Sequence, residues 1–69
     1  MNKEATRFIK NAVDALENGK STHIVRAYVS AAQANEFLKT EQYRKLQKAQ
    51  KMVDDNERYG AKSVLTEML

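Results

Sequence analysis

Cysteine, proline and tryptophan are absent from this 69-residue chain, and glycine occurs only twice. The lack of cysteine excludes a disulfide framework and any thiolate metal site. It suits a reducing compartment, and the cytoplasm is the expected location. Long apolar runs are missing as well. A signal peptide needs an unbroken apolar stretch of about 7–15 residues, and a membrane-spanning helix about 18 or more. We therefore expect an unprocessed product with no membrane association. Strongly apolar side chains are also scarce. Phe, Ile, Val and Leu make up about a fifth of the chain, close to the ~20% below which highly charged chains stay disordered.

Two features oppose disorder. The net charge is only +3, and abundant alanine supplies helix propensity without adding side-chain entropy to be lost. A chain of this length makes one domain at most, and folding hides only about 60% of its unfolded surface. The expectation is one folded but marginal helical domain over residues 1–69. Domains of this size often gain stability from self-association or a partner.

Apolar residues recur at spacings of three and four, and strand-type alternation is absent. A first helix is predicted over residues 3–18, with Asn2 as its cap. Ala5, Phe8, Ile9, Ala12, Val13 and Leu16 form its single apolar stripe. Gly19 should close it in the left-handed conformation, and Ser21 or Thr22 should cap the next helix. That second helix is predicted over residues 22–38. Its apolar side chains cover well over half the circumference, which calls for neighbours on two sides and marks it as the central helix or part of a dimer seam. A third helix begins near Glu41, capped by Thr40, with a narrow stripe of Leu46, Ala49 and Val53 edged by Gln42, Tyr43 and Met52.

Cations crowd the beginning of the third helix, and Asp54, Asp55 and Glu57 crowd the turn that follows. Charges in that order oppose the helix dipole. A break at residues 54–56, a break at Gly60 and one long kinked helix all remain open. The fold class is all-α: a small antiparallel bundle of three to four amphipathic helices, with dimerisation as one way to complete it.

Chemical motifs are weak. Gly19-Lys20-Ser21 resembles the end of a phosphate-binding loop, but Asp14 stands where its first glycine belongs, and a helix precedes it instead of a strand. Residues 55–66 put Gly60 at the sixth position of a calcium loop, but Tyr59 and Thr66 occupy ligand positions that need carboxylates. His23 is the only histidine, with no Glu-x-x-His or His-x-x-x-His spacing around it. No catalytic residue, metal site, cofactor or small-molecule substrate is indicated, and an enzyme is the poorest class.

Two surfaces remain. Arg44, Lys48, Lys51 and Arg58 fall at i, i+4, i+7 and i+14, widened by Lys45 and interrupted by Asp55. Such a stripe suits a phosphate backbone or an acidic partner. Tyr28, Asn35, Val64, Leu65 and Met68 are the candidates for a protein interface. Asn35 stands among apolar positions, as asparagines that set the register of a dimer do. The function expected is a non-catalytic binding or regulatory role through protein–protein contact, acting on a larger partner or as a homodimer. The alternative is a DNA- or RNA-binding accessory protein.

Overall fold

A computed structural model describes residues 2–69, which form four helices and no strand. They are α1 (Lys3–Glu17), α2 (Thr22–Ala34), α3 (Glu41–Asp54) and α4 (Arg58–Glu67). The first three start where a short polar side chain satisfies a free amide. Asn2 accepts from the Ala5 amide, Ser21 from Ile24 and Thr40 from Tyr43. Glu57 precedes α4 without a side-chain cap bond.

Two of the turns close by the same geometry. Gly19, at φ 66°, donates to the Leu16 carbonyl while Lys20 donates to Ala15. Asn56, at φ 61°, donates to Val53 while Glu57 donates to Met52. Both are Schellman closures, with glycine or asparagine in the left-handed position that such turns favour. The chain therefore breaks at residues 55–57, the first of the three alternatives. Gly60 lies inside α4 and does not end a helix.

Each helix packs on its sequence neighbours, and α4 returns to α1; among the described residues the diagonal pairs do not meet. Cross-helix bonds give the directions. Arg26 meets Asp54 and Ser30 meets Gln50, so α2 and α3 run oppositely. Glu17 at the end of α1 pairs with Lys62 near the start of α4. The Asn2 amide donates to the Asn35 carbonyl, joining the start of α1 to the end of α2.

The core comes from the interior stripes. Its buried residues are Ile9, Ala12, Val13, Ala15 and Leu16 of α1, Val25, Val29 and Ala32 of α2, Leu46, Ala49 and Val53 of α3, and Ala61 and Leu65 of α4. The buried stripe of α2 is narrower than its apolar arc: Ile24, Ala27 and Ala34 are exposed. The helix has two neighbours, as each helix does, and is not central.

The second helix also ends four residues earlier than predicted. Continued by one turn, it would carry Glu36 onto the seam of Val25, Val29 and Ala32; the turn that replaces it still leaves Glu36 half-buried, with Oε1 buried and without a hydrogen-bond partner among the described residues. Asn35 caps the helix and turns its amide back to the Ala31 carbonyl at 2.9 Å. Phe37 and Leu38 then leave the helix. Among the described residues no helix is long and apolar enough to cross a membrane.

Candidate functional site

The basic residues divide three ways. Arg44, Lys48 and Lys51 lie on the outward face of α3, opposite Leu46, Ala49 and Val53, and all are exposed. None has a carboxylate within salt-bridge distance among the described residues. Lys45 pairs with Glu41 one turn earlier at 3.2 Å. Arg58 leaves the stripe altogether. The turn at residues 55–57 resets the helical phase, and the Arg58 guanidinium donates to the Lys20 carbonyl at 2.7 Å, pinning α4 to the turn between α1 and α2. The i+14 alignment assumed a continuous helix.

The predicted interface residues are largely claimed by the fold. Leu65 is fully buried, and Val64 and Met68 pack against the core as half-buried neighbours. The terminal stripe thus completes the interior through Leu65 and leaves Val64 and Met68 partly open, with Leu69 exposed. Asn35 is occupied within its own chain, its side chain by Ala31 and its carbonyl by Asn2. Tyr28 is half-buried at the edge of a shallow depression of about 350 Å³ between α1 and α2, lined also by Asn11, Asp14, Asn18 and Ile24. Of the other two tyrosines, Tyr43 is half-buried and Tyr59 projects into solvent at 84% exposure.

The most exposed apolar surface was not singled out from the sequence. Phe37 and Leu38 are 85% and 72% exposed, side by side in the connection between α2 and α3. This connection has a defined shape. The Glu36 amide donates to Gln33, and Lys39 takes a left-handed φ of 68°. The Thr40 hydroxyl donates to the Phe37 carbonyl at 2.9 Å. Both side chains read as the end of an apolar helix face as long as α2 runs to residue 38. The signal against that continuation was Asn35, which caps the helix.

His23 is exposed in the first turn of α2. Gly19-Lys20-Ser21 is an ordinary helix–helix turn, and residues 58–67 are helical, which removes the calcium-loop geometry. Comparison adds nothing by analogy. No family model, curated protein or solved structure matches the chain.

Proposed function

We propose that this chain is a non-catalytic binding protein, an antiparallel four-helix bundle that regulates or inhibits a larger protein by docking on it. The observation that carries the reading is the exposed pair Phe37 and Leu38 on a turn fixed at both ends. Burying two such side chains in a partner's pocket is worth about 1.5–3 kcal/mol each. The turn already has its shape, so little ordering entropy opposes that gain. Large, centrally placed anchors are what dominate protein interfaces.

The exposed flank of α2, formed by Ile24 and Ala27 beside half-buried Tyr28 and Ala31, supports a second contact, between two copies of the chain. The cytoplasm remains the expected setting. Affinity capture from a cell lysate with wild-type and F37S/L38S baits tests the docking reading. A partner held by wild type and lost from the double variant, with equal helix content in both baits, supports it. Identical captures by the two baits contradict it.

A further inference from the structure

The chain carries more cations than its own acids neutralise. Lys3, Lys10, Lys20, Lys39 and Arg58 are dispersed over the other elements and turns, while three cations unpaired among the described residues share one face of α3. Four ion pairs use Arg7, Arg26, Lys45 and Lys62. On the outward face of α3, Arg44, Lys48 and Lys51 have no such partner among the described residues, and Gln47 lies between them. The helix is regular from Glu41–Asp54, so the row is straight. At 1.5 Å of rise per residue it spans about 10 Å. The three long side chains of a row of that length can each reach a phosphate of a duplex backbone.

We infer that this face of α3 binds the phosphate backbone of double-stranded nucleic acid. The spacing and the sign of the charge favour a rigid polyanion. The face carries no aromatic ring between its cations, and unpaired strands are held largely by stacking on such rings. Half-buried Tyr43 lies off the row, towards Ser30 and Gln33 of α2. Glu41 in the first turn of α3 and Asp55 at its C-cap bound the positive row at its two ends. The contact reads backbone and not sequence, since arginine and lysine on phosphates position a protein without discriminating bases. This surface is separate from the turn at Phe37 and Leu38, so its failure would leave the docking reading untouched.

The test is fluorescence anisotropy of a labelled 20-base-pair duplex, and of one of its strands alone, titrated with protein at 50 and 200 mM salt. Three phosphate contacts predict a log–log slope of about −2.7, which is roughly 40-fold weaker binding across that range. R44E/K48E/K51E should lose binding. K3E/K10E/K20E, which makes the same change in net charge on other surfaces, should keep most of it, with the helical circular-dichroism signal retained in both. Absence of duplex binding at tens of micromolar wild-type protein would overturn the inference. So would equal loss in the two triple variants, or tighter binding of the single strand.

Discussion

Gly60 stands inside α4 with the Met52 sulfur 3.3 Å from where a Cβ would sit. Glycine in a helix interior costs about 0.5–1 kcal/mol relative to alanine, because it has more freedom to lose on folding. The neighbour is the end of a flexible thioether, which can move a few tenths of an ångström. Gly60→Ala should therefore stabilise the protein by about 0.5 kcal/mol, while Gly60→Val, which adds two further carbons at the same contact, should destabilise it. Urea denaturation of both variants checks the signs. Leu65 gives the opposite case. It is fully buried at the point where α4 closes the core, and Leu65→Ala should cost about 2–5 kcal/mol. That is a large share of the stability of so small a domain, and Leu65→Asp should abolish the cooperative thermal transition. A native-like melt for Leu65→Asp would show that α4 does not complete the interior.

Among the elements, Asn2 does the work of two residues. Its side-chain oxygen caps α1, and its amide reaches the Asn35 carbonyl at the end of α2. Ser21 caps α2 and makes no comparable bridge. A lost cap typically costs about 1 kcal/mol, so Asn2→Ala should destabilise the fold by more than Ser21→Ala does. Equal midpoints in a urea titration would contradict this.

Asn2 and Thr40 were legible from the sequence because caps are local chemistry, and the second cap was narrowed to Ser21 or Thr22, of which the structure uses Ser21. The stripes of α1 and α3 were legible too, because their apolar positions repeat with one phase. The end of α2 was not legible from composition. Apolar side chains continue through Phe37 and Leu38, and the Asn35 that caps the helix stands in sequence as one polar residue on an apolar face. The break between α3 and α4 was left open for a related reason. The apolar phase runs on through Gly60, while Asn56 makes the actual turn. The displacement of Arg58 from the basic row follows from that break, and the burial of Leu65 follows from the packing of α4 on its neighbours.

For the whole molecule, 69 residues gathered to a radius of gyration of 10.4 Å match the roughly 11 Å of a compact domain of this length. Its ion pairs join partly or fully exposed side chains, and such pairs add little. Stability thus rests on a thin core of small side chains, many of them alanine. Self-association through the exposed flank of α2 would relieve that thinness. Sedimentation velocity at high micromolar concentration should show a dimer that Ile24→Asp weakens, whereas a strictly monomeric wild type would end the self-association proposal.

Docking through the turn at Phe37 and Leu38 is tested most directly by placing a photo-reactive benzophenone amino acid at position 37 and irradiating the protein in cell lysate. A discrete, heavier adduct should form there, and none of that size when the same group replaces Lys10, an exposed residue on α1. The same adducts from both positions, or no adduct from position 37, would contradict docking through this turn.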